Sequence, residues 1–272
     1  MRAALLVAAA LVLAGCPSNL EEQSHVSKLR VLAVRADPAE LVLPSDGGLP
    51  ATTLTALAVE PSDAAIALQF ALCKEIGGTP SATLPCPGDA GIELPAAGSD
   101  SARLDLSDPA ILAFAASAQL DGGFDAGGGV VDALDAGITL LVGFTARSGA
   151  ERLDGFTTLT LRTDAKGPAN ANPVLEDLLI GEGGPVAPKA VVRLQPEPAA
   201  KDDPSEAYGY SFFATAGDIS SLRSTDTTAT GQSAPTWVEW TAPADAGEVR
   251  FWVVLRDGRG GIAWLPKTTQ VR

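Results

Sequence analysis

The stretch VVLRDGRGGIAW, residues 253–264, decides the fold of this chain. It places an apolar run, a turn rich in glycine and a second apolar run in direct succession. Glycine supplies the positive φ that a tight turn requires, so DGRGG at 257–261 predicts a hairpin between two strands. In the first of them Phe251, Val253 and Leu255 share one face by the two-residue period. The stretch therefore predicts an antiparallel β structure.

The two-residue period recurs along the rest of the chain. Ile66, Leu68, Phe70 and Leu72 share one face of a short run, which is typical of a half-buried strand. Short strands separated by Pro, Gly and Asp predict the all-β class, and their spacing in the second half is that of a β-sandwich. The predicted strands are 29–35, 53–59, 66–72, 101–106, 138–144, 156–162, 174–180, 190–194, 207–214, 236–241, 248–256 and 261–271. One short helix is expected at 110–118, with Asp108 as its N-cap.

Changes in composition divide the chain into segments. One positive charge and an apolar run at the start are typical of a signal peptide, and the polar, aperiodic residues that follow are typical of a tether. A later polar segment rich in Pro, Gly and Asn predicts a linker between two tandem antiparallel β-sandwiches. The expected segments are a signal peptide at 1–15, a tether at 16–28, a first sandwich at 29–163 with an Asp/Gly-rich loop at 121–136, a linker at 164–172 and a second sandwich at 173–272.

Composition limits the classes of partner. Of the 272 residues 46% are hydrophobic, so the chain can bury a sizeable core. The formal net charge of −14 argues against direct binding of nucleic acid or of an anionic membrane face. Acidity is also the usual state of an exported soluble surface.

The segment LAGC at 13–16 closes the apolar run with a cysteine in place of an Ala-x-Ala cleavage site. It resembles the lipobox of bacterial lipoproteins, and that resemblance implies that Cys16 carries covalent lipid and anchors the chain in a membrane. Pro17 stands where related systems carry the Asp that retains a lipoprotein in the inner membrane, which favours the outer membrane. An ordinary signal peptide followed by a free cysteine is the alternative. A spanning helix needs about 20 apolar residues, more than this run supplies.

Cys73 and Cys86 form an even pair in a chain predicted to be exported, and such a pair most simply forms a disulfide. A metal site is the alternative, but no histidine lies near them in the sequence.

Two longer stretches carry a second resemblance. KLRVLAVRADP at 28–38 is similar to the opening of cell-surface lipoproteins of Gram-negative bacteria. The segments NPVL, WTAP and VVLRDGRGGIAW of the second half are similar to bacterial immunoglobulin-like and cadherin-like modules. The resemblance implies an immunoglobulin-like (Ig-like) fold and an envelope location, and no shared chemistry. The antibody-type disulfide between opposed sheets is missing, since Cys73 and Cys86 are too close in sequence.

Two groups of residues are candidates for metal or ligand binding. Asp121, Asp125, Asp132 and Asp135 could supply oxygen ligands to calcium, although their spacing matches no known calcium loop and a solvated loop is the expectation. Asp257 could bind a cation or ligand at the end of its hairpin, but the glycines there are explained by the turn alone. No other cofactor is expected.

The tryptophans offer a possible contact surface for glycans or peptides. Trp252 faces away from Phe251, Val253 and Leu255, so it lies on the outer face of the sheet if those three are buried. Together with Trp264 it is the predicted binding platform, although large aromatic side chains at strand spacing most often belong to the core.

The sequence contains few of the residues that catalytic sites commonly use. His25 is the only histidine, so Ser-His-Asp triads, Cys-His pairs and multi-histidine metal centres are excluded. The predicted function is a membrane-anchored envelope lipoprotein with a non-catalytic binding, adhesion or structural role, whose partners are the membrane and envelope proteins or glycans. The alternative is an exported hydrolase that cleaves polysaccharide through a carboxylate pair. A third option is a subunit of a larger envelope assembly.

Overall fold

The computed structural model describes residues 23–62, 64–75, 78–88, 90–121, 130–201 and 203–272, without the side chains of 118–121 and 130–132. The predicted signal peptide and Cys16 lie outside these ranges. Within the described ranges, no helix has the length and apolarity needed to cross a bilayer.

The first half of the chain forms a β-sandwich. One sheet has the strand order β1-β3-β6 and the other β2-β8-β7-β4-β5, and their facing side chains make one core around Phe70, Leu72, Leu104 and Val142. Neighbouring strands are antiparallel except β2 and β8, which run parallel. The elements are β1 (Arg30–Asp37), β2 (Leu41–Leu43), β3 (Ala51–Val59), β4 (Ala67–Cys73), β5 (Gly91–Glu93), β6 (Ser101–Asp105), α1 (Pro109–Asp121), α2 (Val130–Ala136), β7 (Ile138–Ser148) and β8 (Glu151–Thr163).

The second half forms another sandwich, reached through a 3-10 turn at Asp164–Lys166. Its sheets have the orders β12-β14-β10-β9 and β13-β11-β15-β16. Trp240 of the first sheet meets Phe251 of the second edge to face, with ring centroids 4.8 Å apart, at the centre of the core. The strands are β9 (Leu175–Ile180), β10 (Val191–Pro198), β11 (Gly209–Ala214), β12 (Asp218–Ile219), β13 (Arg223–Thr225), β14 (Val238–Thr241), β15 (Gly247–Arg256) and β16 (Ile262–Val271).

Both sandwiches have the same connectivity. Sheets β1-β3-β6 and β4-β7-β8 of the first correspond to β9-β10-β14 and β11-β15-β16 of the second. These are the A-B-E and C-F-G strands of an immunoglobulin-like fold. In each sandwich the last strand also has a short parallel partner, β2 on β8 and Val186 on Val271. The chain is therefore an all-β protein of two immunoglobulin-like sandwiches, and it contains a structural repeat that its sequence does not reveal.

The two sandwiches stack face to face. The outer face of β1-β3-β6 contributes Leu32, Ala33 and Val59 to an apolar seam, and the outer face of β11-β15-β16 contributes Trp252 and Val254. Each of these two sheets is thus covered on both sides, and the molecule has four sheet layers. An apolar interface between two domains opposes their relative motion.

Three features differ from the sequence predictions. Helix α1 begins as expected, where the Asp108 carboxylate accepts from the Ala110 N–H at 2.8 Å, but it continues to Asp121. Helix α2 occupies part of the segment predicted to be a loop. Strands β2, β5, β12 and β13 were missed because runs of two or three residues show no period.

The last residues of the predicted tether are part of the folded body. Ser24 and Val26 are buried, and the segment 24–26 bonds to the end of β11. The tether prediction for residues 23–28 was wrong because a polar, aperiodic sequence can still be ordered through backbone hydrogen bonds.

Strand β16 forms one edge of its sheet. The carbonyl of Gln270 accepts from the Val186 N–H at 2.9 Å, so the even-numbered residues of β16 direct their backbone groups away from β15. Pro266 lies in this outward set and has no N–H to offer.

Candidate functional site

Trp252 and Trp264 lie in the seam between the two sandwiches and not on an open platform. Trp252 does face away from Phe251, Val253 and Leu255, but the first sandwich covers it and leaves 7% of it exposed. The Arg35 guanidinium lies 4.7 Å from the centre of the Trp264 ring. The expectation of an open Trp252–Trp264 platform is therefore wrong, because the first sandwich buries Trp252, and Trp264 packs half-buried against the seam.

Polar contacts flank the apolar seam. Arg256 donates to the carbonyl of Leu32 at 3.2 Å, and Arg250 donates to the carbonyl of Pro61. The Asn172 side chain donates to the carbonyl of Ala36 at 2.7 Å and accepts from the Ile262 N–H at 2.9 Å. Because these bonds tie strands of one half to strands of the other, they fix the angle at which the sandwiches meet.

Trp237 is partly open to solvent, as Trp264 is, but it lies away from the seam. Trp240 is fully buried, and its Nε1–H donates to the Ala216 carbonyl at 3.0 Å. Trp237 instead lies on the outer surface of the second sandwich, where the Arg193 guanidinium stacks 4.2 Å from the centre of its ring. Sequence reasoning missed Trp237, although it precedes a strand whose next residue, Val238, faces the core.

An open groove of about 460 Å³ borders Trp237. Hydroxyl groups and two side chains of opposite charge line the groove. They form a polar surface beside the Trp237 ring. Its lining includes Ser220, Ser221, Arg223, Thr225, Trp237 and Glu239. The hydroxyls of Ser221 and Thr225 already donate to the carbonyls of Arg223 and Thr227. A sugar or a polar peptide could still contact the apolar face of the ring and the charged groups of Arg223 and Glu239.

Asp257 closes its own hairpin. One carboxylate oxygen accepts from the backbone N–H of Arg259 at 2.8 Å and of Gly261 at 2.9 Å, and the other accepts from the Asn170 side chain at 2.6 Å. The side chain is buried. These bonds occupy the acceptor positions that a cation or ligand would need, so the structure gives Asp257 a structural role.

A polar network around Arg162 forms the joint between the sandwiches. Arg162 pairs with Glu40 at 2.8 Å and donates to the carbonyls of Gly167 and Pro168. Glu40 also accepts from the backbone N–H of Asn170 at 2.9 Å. Burial raises the pKa of Glu40, but the hydrogen bonds from Arg162 and Asn170 outweigh it and hold the pKa below its ordinary value. The predicted linker is therefore an ordered part of the joint.

A cleft of about 620 Å³ opens over this joint. Glu40, Arg162, Glu206 and Arg259 line it, and they pair as Glu40 with Arg162 and Glu206 with Arg259. Arg259 also donates to the Asn170 side-chain oxygen at 2.7 Å. These four charges are neutralised in pairs, and the fifth charged side chain of the lining, Lys166, donates to the Ala136 carbonyl at 3.0 Å. The cleft therefore has the chemistry of a structural joint.

The predicted calcium ligands are not assembled into a described site. Asp125 lies outside the described residues, and the side chains of Asp121 and Asp132 are not described. Asp135 accepts a hydrogen bond from the Thr163 hydroxyl. Within the described residues, no group of three or more His, Cys, Asp or Glu side chains could hold a metal ion.

Cys73 and Cys86 form the disulfide that the sequence predicted, with an S–S distance of 2.00 Å. Both are buried against Leu141 and Phe156. A Cβ at Gly91 would lie 2.3 Å from the Cys86 sulfur, so this glycine makes room for the bridge. The disulfide is part of a small secondary core and leaves neither thiol available for chemistry.

Comparisons with known proteins give fold relatives only. No protein-family model and no curated protein matches the chain. Fibronectin(III)-like modules of CbhA from Clostridium thermocellum match with 11% identity and a TM-score of 0.28, over 88% of this chain and 93% of theirs. The Yersinia pseudotuberculosis adhesin InvE matches with 9% identity and a TM-score of 0.26, over 88% of this chain and 58% of its own.

A third solved structure is SGBP-B of a Bacteroides ovatus mixed-linkage glucan utilization locus, in complex with a mixed-linkage heptasaccharide. It matches with 13% identity and a TM-score of 0.21, over 93% of this chain and 48% of its own. Since these TM-scores lie below 0.5, the fold assignment rests on the strand order of the two sandwiches described above.

Proposed function

We propose that this protein is a lipid-anchored component of the bacterial cell envelope, held in the outer membrane through Cys16. Its two sandwiches act as one non-catalytic binding or structural body, whose partners are envelope glycans or proteins. The observation that carries the proposal is the apolar seam between the sandwiches. Two sandwiches joined by an apolar seam, with no catalytic group assembled among the described residues, suit presentation or support more than chemistry.

The pKa pattern argues against the hydrolase alternative. A glycosidase needs one carboxylic acid whose pKa is raised so that it can protonate the leaving group. Glu40, Asp154 and Asp226 do not meet this requirement, because the pKa of each lies below its ordinary value. In these three, burial raises the pKa, but hydrogen bonds from Arg162, Arg152 and Lys201 respectively outweigh it.

The disulfide supports an exported location. Disulfides persist in oxidising compartments such as the periplasm and the cell surface. The Cys73–Cys86 bridge therefore agrees with the signal peptide and lipobox that the sequence predicts.

The lipid anchor is tested by Cys16→Ser in cells. We expect the wild-type protein in the membrane fraction, with lipid on an N-terminal Cys16 by mass spectrometry, and the variant in the soluble fraction. Unchanged fractionation of the variant, or an unmodified amino terminus upstream of Cys16, would contradict the anchor.

The binding role is tested with envelope polysaccharide and with solubilised envelope proteins. We expect saturable binding without turnover, weakened at least tenfold by Trp237→Ala because the groove loses its aromatic face. Leu49→Ala is the matched control, since Leu49 is an exposed apolar residue of the other sandwich. Polysaccharide cleavage that one Asp or Glu substitution abolishes would instead establish the hydrolase.

A further inference from the structure

The residues just before β1 form an ordered segment on the second sandwich, which we name the N-terminal clamp (residues 23–29). The Val26 N–H donates to the Ala214 carbonyl at 2.8 Å, and the Ala214 N–H donates to the Ser24 carbonyl at 2.9 Å. These two bonds make a short parallel bridge at the end of β11. The clamp therefore fills backbone positions that β13 leaves unpaired, since β13 pairs only with 209–211.

Side chains hold the clamp at both ends. Val26 is 1% exposed and belongs to the apolar seam between the sandwiches. His25 Nε2 bonds to the Thr215 carbonyl at 2.8 Å. One Arg30 nitrogen donates to the carbonyls of Gln23 and His25, each at 2.8 Å. At the other end the Leu29 N–H donates to Glu151 at 2.8 Å.

The clamp shortens the chain that can separate the body from Cys16. If the tether ran freely to β1, the distance from Cys16 to Leu29 could reach about 46 Å when fully extended. With Ser24 fixed on β11, only the residues from Cys16 to Ser24 can separate the body from the lipid, and their extended length is at most about 28 Å. The place where the chain leaves the folded body toward Cys16 is also fixed. It lies at the edge of the seam, beside Ala214 and Thr215.

We infer that the N-terminal clamp holds the two-sandwich body close to the lipid bilayer, with the edge of the seam at Ala214 and Thr215 turned toward the membrane. This inference rests on the proposed lipid anchor. The partner surface is the bilayer itself, brought near by the short tether. The opposite end of the molecule then faces away from the membrane.

The experiment attaches the chain from Cys16 onward to a supported bilayer through a maleimide lipid. Cys16 is the single thiol available, since the other two cysteines are joined as a disulfide. Neutron reflectometry measures the water gap between the headgroups and the protein layer. We expect a narrow gap no wider than about 28 Å in the wild type.

Two undocking variants test the clamp itself. Val26→Asp places a charge in the seam, and His25→Ala combined with Arg30→Gln removes hydrogen bonds without emptying a core position. Each should broaden the layer and extend its reach by up to about 18 Å, since residues 24–28 join the tether. Hydrogen exchange at the Val26 amide should become at least tenfold faster in both.

Controls separate this inference from the lipid anchor. Gln23→Ala alters an exposed side chain of the clamp and keeps the backbone carbonyl that Arg30 contacts, so it should leave gap and exchange unchanged. Ten residues inserted after Glu22 should widen the gap while Val26 stays protected. A wild-type gap beyond 28 Å, or undocked variants with wild-type gap and exchange, would overturn the clamp. Because the lipid is attached chemically, these results do not depend on lipidation in cells, which the Cys16→Ser experiment tests.

Discussion

Gly217 makes it possible for Trp240 to reach the centre of the second core. The glycine has φ of +80°, and a Cβ there would lie 2.3 Å from Trp240 Nε1 and 2.5 Å from the Thr241 carbonyl. One missing methyl group therefore permits the close approach of a loop to the largest buried side chain.

Gly217→Ala should destabilise the protein by about 3 kcal/mol, because both the positive φ and the clash must be accommodated. Gly183→Ala is the matched control, with φ of +84° and no atom within 4 Å of the added Cβ. It should lose only about 1 kcal/mol. Urea unfolding followed by tryptophan fluorescence measures both. Equal losses would show that the contact with Trp240 is unimportant.

Glu40 links the first sandwich to the joint, and its substitution should lower the free energy of unfolding at neutral pH. Glu40→Gln leaves the Arg162 guanidinium, whose side chain is 8% exposed, without its counter-charge. We expect a loss of about 2–3 kcal/mol at pH 7. Asp177→Asn, which alters a pair with Lys267 that is more than a third exposed, should lose less than about 1 kcal/mol.

The Glu40 carboxyl should also make the stability of the protein depend on pH, with stability lower in acid. A folded-state pKa below the unfolded value contributes stability above the unfolded pKa, and that contribution is lost as the pH falls through the folded pKa. Stability should therefore decline from pH 5 downward, and more steeply in the wild type than in Glu40→Gln. Parallel pH profiles of unfolding for the two proteins would contradict the assignment.

At the scale of elements, the disulfide joins the end of β4 to the loop that precedes β5. The sequence separation of 13 residues closes a loop worth about 3 kcal/mol in the chain-entropy account. Cys73→Ala combined with Cys86→Ala should lower stability by that amount in denaturant unfolding. A reactive thiol at Cys73 or Cys86 in the unreduced wild type, or equal stability of the two proteins, would contradict the prediction.

The hydrophobic pattern predicted the long strands well. Strands β4, β7 and β15 each alternate between a core face and another face, and this two-residue period is visible in the sequence. Short strands were not predictable in the same way. Strand β2 has three residues, and it exists because β8 offers a parallel edge that the sequence does not show.

The candidate site was harder to predict than the fold. The sequence correctly placed Trp252 on the face opposite Phe251, but exposure depends on what covers that face, which is a long-range property. The pattern of β15 carried a partial signal, since Trp252 and Val254 make its outer face apolar as well as its inner face. An apolar run on both faces is typical of a strand between two layers.

On the scale of the whole molecule, the seam should make the two sandwiches unfold as one unit. Val254→Asp introduces a carboxylate at a position that is fully buried between the sandwiches. We expect one calorimetric transition in the wild type and two separated transitions in the variant. Val191→Asp, on the exposed outer face of β10, should leave the single transition intact. Two transitions in the wild type would show that the seam does not couple the halves.

Pro266 bears on how copies of this molecule meet at high concentration. An outermost strand with a full row of free donors is a template on which a neighbour can build a continuous ribbon. The ring nitrogen of Pro266 interrupts that row in the middle of β16. Copies that meet along β16 therefore face an interrupted row of donors, which disfavours continuation of the sheet from one copy to the next.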